Sequence, residues 1–363
     1  MNYVSPGYFL AVMGGRLNAW RMDASGHVEK GDPVVVADGI EGNISVSNTG
    51  LMIYRKASPV AGKQLMWFEH SGKQIGPVGA VANYGGVDLS PTGDRAAVDI
   101  TTINNRDVWV MDLNRAVPSR ITFDASSEWT AIWSPNGEQL AFASNGSPNG
   151  SPGTQIYGKS SSGAGMASAL TSDASASIPV HWSPDDKYIV FSRPKPKANA
   201  VYDTWLLPTS GDRKPVPLLE TPFDKGHARI SPDGRWIAYI TNESGSYQVV
   251  VQTFPNPNGG KWPITSEGGV EPKWRRDSHE LYYIAPDGKL MSVAIGGTTT
   301  LQAGRPVALF QTPLTVNKNS PDRTRRYDVD PNGRFLMVFP AVTSATPPIN
   351  VIVNWNSEIE KKQ

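Results

Sequence analysis

Arg229-Ile-Ser-Pro-Asp-Gly-Arg-Trp-Ile-Ala-Tyr239 decides the fold. Pro presets φ and Asp-Gly tolerates φ > 0, so Ser-Pro-Asp-Gly is a turn. Apolar and aromatic residues flank it, as in two strands of a hairpin. The segment recurs as His181-Trp-Ser-Pro-Asp-Asp-Lys-Tyr-Ile-Val-Phe191, Ile132-Trp-Ser-Pro-Asn-Gly-Glu-Gln-Leu-Ala-Phe142 and Asp88-Leu-Ser-Pro-Thr-Gly-Asp-Arg-Ala-Ala-Val98. Weaker copies begin at Val4, Val46, Trp274 and Val329. With Ser or its equivalent as marker, the copies fall at 5, 47, 90, 134, 183, 231, 275 and 330. A spacing in the forties with strands inside it is the mark of a propeller.

Each repeat reads as four strands. After the hairpin come third strands at 18–22, 65–68, 108–111, 204–207, 248–251 and 290–293, then outer strands at 34–36, 120–122, 217–219, 263–265 and 308–310. No sustained 3.6-residue apolar period occurs, so helices should be nearly absent. The expected fold is all-β: a single domain over residues 1–363, a β-propeller of four-stranded antiparallel blades. Eight blades are expected, the last three-stranded over Tyr327 to Trp355; seven is the alternative, with the chain ends sharing a blade. Sharing would leave Ile349 to Trp355 without a place. Segments 144–153, 160–165 and 193–198 read as loops, the first as the most mobile.

Composition narrows the function. Of 363 residues, 34 are Lys or Arg and 33 are Asp or Glu, a net charge of +1 that offers no overall field for nucleic acid or anionic membrane. The absence of cysteine excludes disulfides and thiolate chemistry. No apolar run reaches the ~20 residues of a membrane-spanning helix, and the first residues lack the basic start of a signal peptide. There is no Gly-x-Ser-x-Gly elbow, Walker loop, dinucleotide fingerprint, His-Glu-x-x-His or calcium loop. No catalytic residue, metal site or cofactor is therefore expected.

Inner strands of a propeller surround a channel. The residue two before each marker is Tyr3, Ser45, Asp88, Ile132, His181, Arg229, Lys273 or Asp328. Two residues earlier stand Asn43, Gly86, Thr130, Pro179, His227, Glu271 and Arg326. Alternate strand residues share a face. The candidate ligand-binding residues are thus Asp88, His181, Arg229, Lys273, Asp328, His227, Glu271 and Arg326. The bland alternative is a wet channel lined with mutually paired polar groups. His181 and His227, on neighbouring blades, could approach one another, but a metal would want a third ligand. Trp133, Trp182 and Trp274 share one repeat position and Trp109 and Trp205 another, which marks them as core. Trp129 and Trp262 lie off those positions and are the candidates for exposed contacts. Lys318 with Arg323-Thr-Arg-Arg326 reads as a solvated basic loop or an anion patch.

These repeats resemble the TolB-type, WD-repeat-like propellers of bacteria. They are closer still to the propeller that follows the kinase domain in bacterial transmembrane serine/threonine kinases. The resemblance is carried by Tyr8-Phe-Leu-Ala-Val12, Leu17-Asn-Ala-Trp-Arg-Met-Asp23, Lys30-Gly-Asp-Pro-Val-Val-Val-Ala-Asp38, Gly211-Asp-Arg-Lys-Pro-Val-Pro217, Thr221-Pro-Phe223, Ser231 to Tyr239, Gly260-Lys-Trp262, Pro272-Lys-Trp-Arg-Arg-Asp277, Arg326-Tyr-Asp-Val329 and Val353-Asn-Trp355. It implies a non-enzymatic sensing or scaffold module with a protein or peptide partner, or a small polar ligand. It implies neither nucleic acid nor membrane insertion by this chain. Kinase motifs are absent, so kinase activity does not carry over. The location implied is extracytoplasmic if the chain is part of a membrane kinase, and cytoplasmic if it is complete. The competing class is an enzyme, a lyase or hydrolase with its site in the channel.

Overall fold

The computed structural model describes the chain apart from residues 1, 5–6, 14–15, 24, 30, 32, 39, 41–43, 48, 56–61, 103–104, 147–152, 174, 196–200, 315, 318–323, 342–348 and 356–363. Asn43, Lys318, Arg323 and much of the loops at 144–153 and 193–198 therefore lie outside the described residues. The described residues are almost all strand and turn, with one three-residue 3-10 turn, Pro257–Gly259. None of their helices is long and apolar enough to cross a membrane. The chain separates into two compact units, residues 62–340 and residues 1–61 with 341–363.

The larger unit is a β-propeller of six sheets. Blade I holds Tyr84–Leu89, Arg95–Thr101, Arg106–Asp112 and Val117–Arg120. Blade II holds Glu128–Trp133, Gln139–Ser144, Gln155–Ser160 and Ser168–Ala169. Blade III holds Ile178–Trp182, Tyr188–Pro194, Tyr202–Pro208 and Val216–Leu219. Blade IV holds Lys225–Ile230, Trp236–Thr241, Gln248–Thr253 and Lys261–Pro263. In blade V, Val270–Trp274 and Glu280–Ile284 lead to Lys289–Gly296, which pairs with both Gln302–Ala303 and Val307–Gln311.

Blade VI closes the circuit and departs from the expected strand order. Its strands Tyr327–Val329 and Phe335–Pro340 are completed by Lys63–Phe68 and Gln74–Ala82, from the other end of the unit. Leu65 to Phe68, expected to follow 51–55 within one repeat, faces Val338 to Phe335 instead. The ring of this unit therefore has six blades, and the remaining two of the eight sheets among the described residues belong to the smaller unit. Ile349–Val353, expected as the third strand after Phe335–Pro340, pairs with Leu51–Arg55 and thus has a place after all.

The turn that dictates each blade works as its residues suggest. In blades I to IV the Ser hydroxyl accepts the backbone N–H five residues on: Arg95 to Ser90 (3.1 Å), Gln139 to Ser134 (2.9 Å), Tyr188 to Ser183 (2.9 Å) and Trp236 to Ser231 (3.0 Å). The glycine position needs φ > 0. Gly93, Gly137, Gly234 and Gly333 adopt it, and Asp186 and Ser278 take it without the help of a glycine.

Neighbouring blades share apolar layers. Phe142, Tyr157 and Trp133 pack with Val108 and Val110 between blades I and II, and Trp236 joins Trp274, Tyr282 and Phe335 in the largest cluster. The smaller unit has two sheets. Asn2–Val4, Tyr8–Met13, Arg16–Arg21 and Val34–Asp38 form one, and Ser45–Val46, Leu51–Arg55 and Ile349–Val353 the other. Leu10, Leu17, Met52 and Trp355 are fully buried between them, with Tyr8 edge-on to Trp355 at 5.9 Å. Tyr3 and Ser45, expected in the channel ring, belong to this unit.

Candidate functional site

Each blade offers one inner-strand residue two before its turn marker. Around the six-bladed ring these are Asp88, Ile132, His181, Arg229, Lys273 and Asp328. All but Ile132 line a single cavity of about 330 Å³ on the Ser-Pro side of the ring. Its rim is made by Pro91, Pro135, Pro184 and Pro232 of the turns, by Arg276, which stands where those turns carry Pro, and by Trp133, Trp182 and Trp274. Ile132 packs between blades II and III.

The ring residues hold the blades together as well as lining the cavity. The Trp133 indole N–H donates to the Asp88 carbonyl at 2.9 Å, and the Trp274 indole repeats this on the Arg229 carbonyl at 2.9 Å. The Asp88 carboxylate accepts from Trp133 N (3.2 Å) and lies 3.7 Å from Arg229. Asp328 accepts from Leu89 N at 2.8 Å and lies 3.0 Å from Lys273 Nζ. Arg229 donates to the Val180 carbonyl at 2.5 Å.

The protonation states follow from these contacts. Burial alone would raise the Asp328 carboxyl, but Lys273, Arg229 and the Leu89 N–H outweigh it and hold the group below the usual carboxylate range. Burial, reinforced by Arg229, pulls the Lys273 ammonium down from 10.5 to about 8. Burial and the charges of Arg229 and Lys273 push His181 well below 6.5, so its ring is neutral at pH 7. The tautomer also follows. Arg229 Nη1 lies 3.3 Å from His181 Nδ1, and a guanidinium can only donate. Nδ1 is therefore the acceptor, and the single ring proton sits on Nε2.

The second tier is not a second channel ring. A register shift interrupts the inner strand of blades II, III, IV and V between the two tiers. Such a bulge breaks the simple alternation on which the expectation rested. Thr130, His227 and Glu271 sit there at φ 51°, 52° and 54°. Glu271 is buried against Arg326, whose Nε donates at 2.5 Å and whose backbone N–H donates at 2.9 Å. His227 lines a separate cavity of about 40 Å³ with Thr130, Pro179 and Arg325. His181 and His227 thus face different cavities. Among the described residues no three His, Asp or Glu side chains are grouped to hold a metal.

Arg325 is the site residue that sequence reasoning missed, because the basic run around it reads as solvated surface. Its side chain is buried, lies 3.4 Å from Asp88 and donates to the Ala131 carbonyl at 2.6 Å. It lines the smaller cavity while bonding to the wall of the larger one, so it stands between them. No repeat position signals it. Two surface expectations are also corrected. Trp262 is half-buried and packs edge-on against Trp236 at 5.4 Å, and half-buried Trp129 lies under the Arg106 guanidinium at 5.9 Å.

No family model matches the chain, and no curated protein matches it. Solved structures do. A protein assigned as TolB from Agrobacterium tumefaciens superposes with a TM-score of 0.59 at 16% identity, covering 77% of this chain and 98% of that one. TolB from Acinetobacter baumannii gives 0.49 at 15% identity over 80% and 65%. Oligogalacturonate lyase from Vibrio parahaemolyticus gives 0.50 at 14% identity over 82% and 96%. At these identities the likeness shows the fold, a TolB-like β-propeller, and nothing of the activity.

Proposed function

We propose that the chain acts as one β-propeller domain, a non-enzymatic binding or scaffold module, and serves as the sensory or protein-interaction part of a bacterial signalling protein of the kinase-linked kind. On this reading a peptide or protein partner docks at the Ser-Pro mouth of the channel. One observation carries it. The carboxylates of the cavity are each held by cations, Asp328 by Lys273 and Asp88 by Arg229 and Arg325, which makes a rigid preorganised recess. Rigid turns surrounding such a recess suit recognition.

The test is a random-peptide display selection on the whole chain, repeated on Arg276→Glu. Enriched peptides that bind the variant about tenfold more weakly support the reading. No enrichment, or peptides indifferent to Arg276→Glu, overturns it. The enzyme alternative has one observation in its favour: an amine at about 8 in a cleft, that of Lys273, is suited to proton transfer near neutrality.

A further inference from the structure

The large cavity holds donors that the protein itself leaves unused. The His181 Nε2–H is buried and meets no protein acceptor among the described residues. Lys273 is 4% exposed, and its Nζ has only Asp328 at ion-pair distance. An ammonium has three protons, so at least two of its N–H groups lack a protein acceptor. Buried donors without partners cost roughly 1–3 kcal/mol each, a cost that a group supplying acceptors, water or ligand, relieves.

The charges agree. The lining carries three cations, Arg229, Lys273 and Arg276, against two carboxylates, Asp88 and Asp328. Arg325 adds a fourth cation from the floor, 3.4 Å from Asp88. With His181 neutral, the recess carries net positive charge and favours an anion.

We infer that the cavity receives a carboxylate group of a peptide, either its C-terminus or an acidic side chain; this rests on the binding-module reading above. The two oxygens of a carboxylate match the two unused donor groups, the His181 Nε2–H and the Lys273 ammonium. A uronic sugar would want an open indole face. Trp133 and Trp274 are 5% and 7% exposed, Arg95 lies over the Trp133 ring at 4.7 Å, and only the half-buried Trp182, whose indole N–H is spent on Asp186, offers ring surface at the rim. The rim of turn prolines offers apolar surface to the aliphatic part of a peptide. Arg325 bars the way below, so a group enters from the Ser-Pro side and stops.

The experiment is a tryptophan-fluorescence titration of the full chain. The probes are an acetylated tetra-alanine with a free C-terminus, its amide, the amide with one glutamate in place of an alanine, glucuronate and inorganic phosphate. At least one carboxylate peptide should bind about tenfold more tightly than the neutral amide. Which of the two does so identifies the source of the carboxylate. The preference should vanish in Lys273→Met and also in His181→Phe, a variant that leaves every ion pair in place. A neutral amide that binds equally well overturns the carboxylate inference and leaves the binding module standing. Tighter binding of glucuronate or phosphate overturns it in favour of a small anion. No binding of any probe at about 1 mM overturns it, and the display selection then decides the broader reading alone. A carboxylate preference unchanged in both variants overturns the assignment to this cavity.

Discussion

The Asp328 carboxylate accepts the Leu89 backbone N–H at 2.8 Å and lies 3.0 Å from Lys273 Nζ. One side chain of blade VI thus ties the blade on either side of it. The contact to Leu89 spans 239 residues of sequence and helps to close the ring.

Asp328→Asn should keep an acceptor for Leu89 but leave the Lys273 charge buried without its partner. The expected loss is about 3 kcal/mol, read as a lower urea midpoint at pH 7. The acid limb should change as well. The folded-state carboxyl of Asp328 titrates below its unfolded value of 3.8, so its contribution is present above pH 3.8 and is lost as pH falls further. The gap between the native protein and Asp328→Asn should therefore narrow below pH 3.8. A gap constant down to pH 2 would contradict it.

His181 should remain neutral, with the proton on Nε2, at pH 6. Its folded value lies well below 6.5, so the unfolded chain gains the proton first. Stability should therefore fall as pH drops below 6.5, by up to about 1.4 kcal/mol per pH unit from this group. Nitrogen NMR of the histidine rings reads both state and tautomer. A protonated His181 ring at pH 6 would contradict the geometry.

Three tryptophans at one repeat position should respond unequally to phenylalanine. Trp133 and Trp274 each donate to a carbonyl of the preceding blade, whereas Trp182 donates to Asp186 of its own turn at 2.7 Å. Trp133→Phe and Trp274→Phe leave a buried carbonyl short of a donor and should cost about 1–3 kcal/mol each. Trp182→Phe should cost less than either. Denaturant melts that rank Trp182→Phe as the most damaging would contradict this assignment.

Thr130→Gly should stabilise the protein. Thr130 holds φ 51° with a β-branched side chain, and its buried hydroxyl makes no hydrogen bond. Glycine removes the strain at no cost in bonds, and the balance against its extra unfolded-state entropy should favour the fold by about 0.5–1 kcal/mol. A lower melting temperature would show that the bulge depends on the Thr130 side chain.

The turns and strands were legible from neighbours in the chain. Ser231, Asp233 and Gly234 shape one hairpin through contacts a few residues apart: Ser231 Oγ lies 2.6 Å from Asp233, and Gly234 has φ 72°. Such contacts depend on local residue types alone, so sequence by itself determined the four-stranded blade and the register of the channel position. It thereby named Asp88, His181, Arg229, Lys273 and Asp328 together.

What lay beyond it was set by partners far apart in the chain. Leu65 to Phe68 is an apolar strand that any suitable edge could accept, and its own residues do not say which. Pairing with Phe335 to Val338 depends on where six blades bring the edge of the ring. The bulges at Thr130, His227 and Glu271 carry no sequence mark, and each inserts one extra residue into the alternation that would have aimed the second tier. Arg325 turns inward because Asp88 and the Ala131 carbonyl await it there, and only the folded ring brings those groups together.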